Sequence, residues 1–200
     1  MAEIMAEPAL ARMTADEFLR WDYEREGKHE LVDGFVLRMM VGARDKHDGI
    51  TVNVLSELRQ RLRGGDCRPR TDDLAVRTTT NGVRRPDVTV DCGPRDPNAL
   101  EALDPRVVFE VLSPSTRVTD ATVKLDEYKS VDGLAHIVII DPDVVDVVAW
   151  SRAGGSEGWT MARFTDLDDA LPLAGIGTEL PLATIYEDAD PAPAPPRLVE

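Results

Sequence analysis

The chain has 200 residues, 42% of them hydrophobic, with 37 acidic against 23 basic side chains and a net charge of −14. That length suits one domain with a sizeable core, and no apolar run approaches the roughly 18–20 residues of a membrane span. The charge opposes non-specific adhesion to nucleic acid or anionic membrane over most of the surface. The first residues lack a basic start followed by a long apolar stretch, so no signal peptide is expected. Cys67 and Cys92 stand in no metal or redox spacing, which favours a reducing compartment. The expectation is a soluble, cytoplasmic protein.

In chain order, residues 1–13 read as a flexible N-terminus. Thr14 and Glu17 then fit a capping box, a hydroxyl for a free N–H and a carboxylate to return the bond, so a short helix burying Phe18 and Leu19 should follow. His29 to Met39 holds two apolar stretches joined by Asp33-Gly34, a tight-turn dipeptide. From Asp45 to Leu62, Ile50, Val54, Leu55, Leu58 and Leu62 recur at helical spacing, and Gly64-Gly65 stops the helix. Strand-like pieces run from Leu74 to Thr78, from Val83 to Asp91 after a turn at Asn81-Gly82, and from Arg106 to Leu112. A second helix fits from about Val118 to Val131. Two β-branched runs, His136 to Ile140 and Val144 to Trp150, flank Asp141-Pro142-Asp143, and Trp159 to Phe164 reads as another strand. Residues 189–200 read as a Pro/Ala-rich disordered tail. One mixed α/β (α+β) domain over residues 14–188, with a largely meandering sheet, is the fold class.

Several motifs carry little. Gly154-Gly155-Ser156-Glu157-Gly158 spells a nucleophile elbow, but that elbow needs a helix after it, and a strand pattern follows here. His29, His47 and His136 show no metal spacing. No glycine loop of phosphate-binding type precedes a helix. Charge is uneven: from Arg59 to Arg85 eight arginines face three aspartates, whereas from Asp166 onward eight carboxylates face Arg197 alone. The arginine segment is a candidate for phosphate contacts, though its side chains could equally partner the chain's many carboxylates.

The informative constellation is acidic. Pro86-Asp87-Val88-Thr89-Val90 opens a strand with an aspartate at its start. Val107-Val108-Phe109-Glu110-Val111-Leu112 places one glutamate inside an apolar strand, on the side shared by Val108 and Leu112. A carboxylate there must reach solvent, a cation or a metal, and two carboxylates on adjacent strands form the partial shell that magnesium uses. On the following helix Asp120, Lys124 and Tyr128 fall along one stripe. Packed over the Glu110 strand, Lys124 could orient a water or offset charge on a phosphate.

His29-Glu-Leu-Val-Asp-Gly34, Arg85-Pro-Asp-Val-Thr-Val90 and Phe109-Glu-Val-Leu-Ser-Pro-Ser-Thr116, with Asp120, Lys124 and Tyr128, together resemble one bacterial family. It is a family of restriction-endonuclease-like proteins in the PD-(D/E)XK nuclease superfamily, formerly a domain of unknown function. The resemblance implies a restriction-endonuclease-like core, a central mixed β-sheet flanked by helices with magnesium at one edge. It implies that Asp87 and Glu110 bind metal with the backbone carbonyl of Val111. Glu30 matches the family's N-terminal acidic residue. The lysine that the superfamily places two residues after the glutamate is Leu112 here, and the resemblance assigns its part to Lys124.

The function expected is Mg²⁺-dependent hydrolysis of phosphodiester bonds, with Mn²⁺ as substitute, on nucleic acid and most readily DNA. Asp87, Glu110, Lys124 and Glu30 would carry the catalysis. A homodimer would suit an enzyme that cuts both strands. Two other readings stand beside it: a non-catalytic nuclease-like module for protein association or nucleic-acid binding, favoured by the net charge, and a metal-dependent phosphoesterase of small substrates or RNA.

Overall fold

In the computed structural model, which describes residues 12–39, 44–113, 120–152 and 158–194, Thr14 caps the first helix. Its backbone N–H donates to the Glu17 carboxylate at 2.8 Å, and its hydroxyl accepts from the Glu17 N–H. These reciprocal bonds start α1 (Ala15–Tyr23). The expected hairpin follows as β1 (His29–Val32) and β2 (Phe35–Arg38). Asp33 and Gly34 take φ of +50° and +82°, the two left-handed conformations that a two-residue turn needs. α2 (Asp45–Arg61) buries Ile50, Val54 and Leu58 on one stripe, as its periodicity implies.

β3 (Arg68–Thr71) had no apolar signal, since Arg-Pro-Arg-Thr is polar and carries a proline. It forms because it lies at a sheet edge, where proline's missing N–H costs no ladder bond. β4 (Val76–Thr79) and β5 (Gly82–Arg84) complete a four-stranded sheet in the order β2-β1-β5-β4. The sequence pattern over Val83 to Asp91 implied one strand, and here the structure differs. Pro86 breaks the ladder, and after Asp87 the chain enters a different sheet as β6 (Val88–Asp91).

That second sheet gains β7 (Pro105–Val111), then α3 (Asp120–Lys129), β8 (His136–Asp141), β9 (Asp146–Ser151) and β10 (Thr160–Phe164). Its strand order is β10-β9-β8-β7-β6-β3. Only β7 and β8 pair in parallel. A parallel pair needs a crossover, and α3 supplies it. The architecture is the mixed α/β sheet flanked by helices that the sequence implied. A hairpin of β11 (Ala170–Leu173) and β12 (Thr178–Pro181), then α4 (Leu182–Ile185), close the chain over one face.

Alternation along β7 sorts two cores. Val107, Phe109 and Val111 face Ile50, Val54 and Leu58 of α2, together with Leu171, Leu180 and Ile185. Val108 faces Tyr128, Leu134 and Ile137 on the α3 side. Glu110 therefore points where Val108 points, toward α3. A smaller core holds Phe18, Leu31 and Val83 under α1.

Two expectations are corrected. Arg68 pairs with Asp91 across β3 and β6, so the next residues outward, Cys67 and Cys92, meet and form a disulfide. Their sequence spacing carried no such signal because strand register, not separation, brings them together. The support that the cysteine spacing gave to a reducing compartment falls away. The tail expected from residue 189 is packed at its start: Ala189 is buried, and Ala192 bonds Val145 and Asp143 across a bridge to Val144. Residues 154–157 of the glycine-rich motif lie outside the described residues, but β10 pairs with β9 across them, so a strand and not a helix follows. No helix among the described residues is long and apolar enough to cross a membrane.

Candidate active site at the junction of the two sheets

Asp87 stands where the chain passes from one sheet to the other, which places residues from both beside it. From the four-stranded sheet comes Glu30 on β1. Leu31 is in register with Val83, so Glu30 neighbours Arg84. From the six-stranded sheet comes Glu110, one residue before the end of β7. α3 adds Lys124 and Tyr128 along the stripe read from the sequence.

Each carboxylate is held by named donors. The Val111 N–H donates to Asp87 Oδ2 at 2.7 Å. Tyr128 donates its hydroxyl to Glu110 Oε1 at 2.6 Å. The Lys124 ammonium lies 3.4 Å from Glu110 Oε1 and 3.2 Å from Glu30 Oε1, bridging strand to strand. Glu30 also accepts from Arg84 Nη1 at 2.9 Å and from the Arg85 N–H at 3.1 Å. Arg84 is almost fully buried and turns its other nitrogens to Glu127, at 2.8 and 2.7 Å.

Electrostatics follow from this packing. Burial pushes the Glu110 carboxyl up to about 7, opposed by Lys124 and reinforced by the charges of Asp87 and Glu30. Burial likewise raises the Tyr128 hydroxyl well above its ordinary range, so it remains a donor. Four carboxylates, Asp87, Glu110, Glu30 and Glu127, surround one ammonium and one guanidinium, so with every carboxylate ionised and His47 neutral the group would carry two negative charges.

Sequence reasoning missed His47. Its Nε2 lies 3.4 Å from Asp87 Oδ1. The hydrogen bond to Asp87 raises its pKa, with further support from the Glu110 charge and the Val111 carbonyl. The imidazole thus faces all three groups that the family resemblance implied as metal ligands. A signal existed. His47 lies at the head of the stripe that continues through Ile50, Val54 and Leu58, the face of α2 turned to the sheet. Arg84 and Glu127 were also missed as parts of this cluster.

The donor set suits a hard divalent cation. An ionised carboxylate offers about four lone-pair positions, and neither Asp87 nor Glu110 spends them all on the bonds above. Among the described residues no three Asp, Glu, His or Cys side chains are drawn into one ready shell. Magnesium does not require that, since it commonly takes one or two carboxylates and keeps several waters. A divalent cation would favour the ionised form of Glu110 and offset the excess of carboxylates over cations. The side chain of Asp120, named with this stripe in the sequence, lies outside the described residues, as does the segment 114–119.

The arginine-rich segment divides. Arg77 is held by Glu101 and Asp16, Arg84 by Glu30 and Glu127, Arg85 by Asp22, and Arg61 by Glu57. These side chains are structural partners, not phosphate ligands. Arg59, Arg63 and Arg70 remain exposed.

Residues 15–183 match the family described as "Uma2: Putative restriction endonuclease". An uncharacterized protein of Synechocystis sp., slr1290, is 29% identical over 177 residues, which is 88% of this chain and 92% of that protein. A crystal structure described as "a putative nuclease belonging to DUF820", from Anabaena variabilis, superposes with a TM-score of 0.67 at 22% identity, covering 87% of this chain and 97% of the other. At that identity the likeness is one of fold.

Proposed function

This chain belongs to the Uma2 family of restriction-endonuclease-like proteins, and on that premise we propose that it is a Mg²⁺-dependent endonuclease hydrolysing phosphodiester bonds in DNA. The observation that carries this reading is the meeting of Asp87, Glu110, Glu30 and Lys124 from two sheets and a helix at one junction. Two carboxylates against one lysine, with the Asp87 carboxylate beside them, are costly to bury for a scaffold alone, and a bound cation would offset them.

Asp87, Glu110 and the Val111 carbonyl are the groups that would hold the metal, with Mn²⁺ as a substitute. When bound, it supplies Lewis acidity toward a phosphate oxygen and a water of lowered pKa. The chain's own residues do the rest. The Val111 N–H and the Tyr128 hydroxyl fix the orientation of the two ligand carboxylates. Lys124, tethered by Glu30 and Glu110, presents its ammonium to an attacking water and to charge gathering on the phosphate. Arg84 and the Arg85 N–H hold Glu30, so Glu30 positions the lysine. His47 sits beside Asp87 as the nearest group that can exchange a proton at that edge.

A homodimer and a cytoplasmic location belong to this proposal as its working premises, the first tested by light scattering. The metal site is tested by titrating Ca²⁺ or Mn²⁺ while following thermal unfolding. Saturable stabilisation of the wild type that disappears in Asp87→Ala supports it, and equal stabilisation of both proteins contradicts it.

A further inference from the structure

We propose that an arginine-lined cleft at the far end of the second sheet is a binding subsite for the phosphodiester backbone of the nucleic acid that the acidic cluster cuts. The cleft has a volume of about 940 Å³ and lies between the end of α2, the start of β3 and the loop after β6. It rests on the nuclease reading above and adds to it where the substrate runs.

The argument begins with which cations are spoken for. Arg59, Arg63, Arg70 and Arg95 line the cleft and are exposed. Among the described residues they make no hydrogen bond, ion pair or ring contact, and Arg20 and Arg38 are the only other basic side chains of which that is true. Among the described residues of a chain of net −14, four of the six unpaired basic side chains thus gather at one place. The cleft's carboxylates are mostly occupied: Asp73 by Lys28, Glu101 by Arg77 and Asp91 by Arg68, leaving Asp96 facing the four arginines. The C-terminal end of α2 explains the place of Arg59 through its dipole. It does not explain Arg70 on a strand or Arg95 in a loop.

Position supports the assignment. α2 carries His47 beside Asp87 in its first turn and Arg59 in its last turn. At the helical rise, the backbone of Arg59 lies about 18 Å along α2 from that of His47. Strand β6 repeats the relation, with Asp87 before its first residue and the cleft's Asp91 at its end. On duplex DNA that span corresponds to about five base pairs. The subsite therefore grips backbone well away from the bond being cut. Four contacts there place the protein on the polymer without reading sequence.

The test uses the full chain in EDTA, with fluorescence anisotropy of labelled duplex DNA, single-stranded DNA and RNA of roughly 20 units over a series of salt concentrations. Arg59→Ala/Arg63→Ala and Arg70→Ala/Arg95→Ala should each weaken binding about tenfold and flatten the slope of log Kd against log salt by about two. Arg20→Ala should leave the slope unchanged. Loss on one polymer identifies the occupant, and equal loss on all three means that the cleft holds phosphodiester backbone whatever the sugar. Unaltered affinity and slope in both double variants, or no binding by the wild type, overturns the proposal. Cleavage separates it from the nuclease reading. Wild type that binds through the arginines but never cleaves overturns the nuclease and leaves the cleft. Cleavage at unchanged KM with all four arginines removed overturns the cleft and leaves the nuclease.

Discussion

Lys124 on α3 places its ammonium 3.2 Å from the Glu30 carboxylate of β1, so a helix packed on one sheet is tied to a strand of the other. The same nitrogen lies 3.4 Å from Glu110. Lys124→Ala removes the only ammonium in the cluster and leaves two mostly buried carboxylates without it. The variant should lose turnover by roughly 10²–10³-fold and stability by about 3 kcal/mol. Cleavage and urea unfolding on the same preparation check both. Full activity in a folded Lys124→Ala protein would remove lysine from the mechanism.

Arg84 reaches Glu30 with one nitrogen and Glu127 with two others. A lysine has one charged nitrogen and cannot reproduce that fork. Arg84→Lys should therefore destabilise the protein by about 3 kcal/mol. Paired with Glu127→Gln in a double-mutant cycle, it should show non-additivity, because the two residues share their bonds.

The disulfide between Cys67 and Cys92 closes a loop with a sequence separation of 25. Loop-closure entropy for such a length is worth roughly 3 kcal/mol. Dithiothreitol should lower the unfolding midpoint of the wild type, and Cys67→Ser/Cys92→Ser should match the reduced protein with no response of its own. An unchanged midpoint on reduction would show that the two strands hold their register without the bond.

His136 is buried, with Nδ1 2.9 Å from Ser151 Oγ, while Nε2 accepts from the Gly175 N–H at 2.9 Å. Nε2 is therefore the unprotonated nitrogen and Nδ1 the donor. Burial, aided by the Arg106 charge, lowers its pKa to about 4. The unfolded chain binds this proton near pH 6.5, so stability held above that pH is lost as pH falls toward 4. The stability difference between wild type and His136→Gln should shrink by about 1.4 kcal/mol per pH unit below 6.5, approaching about 3 kcal/mol in all. Urea unfolding from pH 7.5 to 4.5 measures it, and a difference independent of pH would contradict it.

Local chemistry was the legible part of this fold. The Thr14–Glu17 cap, the Asp33-Gly34 turn, the α2 stripe and the side of β7 that Glu110 occupies each depend on residues a few positions apart. What the sequence hid depends on register and on distant pairing. β3 is polar, the Pro86 break sends one apparent strand into two sheets, and Cys67 meets Cys92 only because β3 and β6 align. The site divides in the same way. Asp87, Glu110, Lys124 and Glu30 were visible through motifs, whereas His47 and Arg84 enter through contacts between elements far apart in the chain.

Cleavage of plasmid, linear duplex, single-stranded DNA and RNA with Mg²⁺ or Mn²⁺ at low salt, wild type beside identically purified Glu110→Ala, tests the central claim most directly. Glu110 lies between the Tyr128 hydroxyl and the Lys124 ammonium, so its loss removes a proposed metal ligand and one of the two carboxylates that hold the lysine. Metal-dependent cleavage by the wild type and none by Glu110→Ala is the predicted result. Equal cleavage by both proteins, or none by either on any of the four substrates, would contradict it.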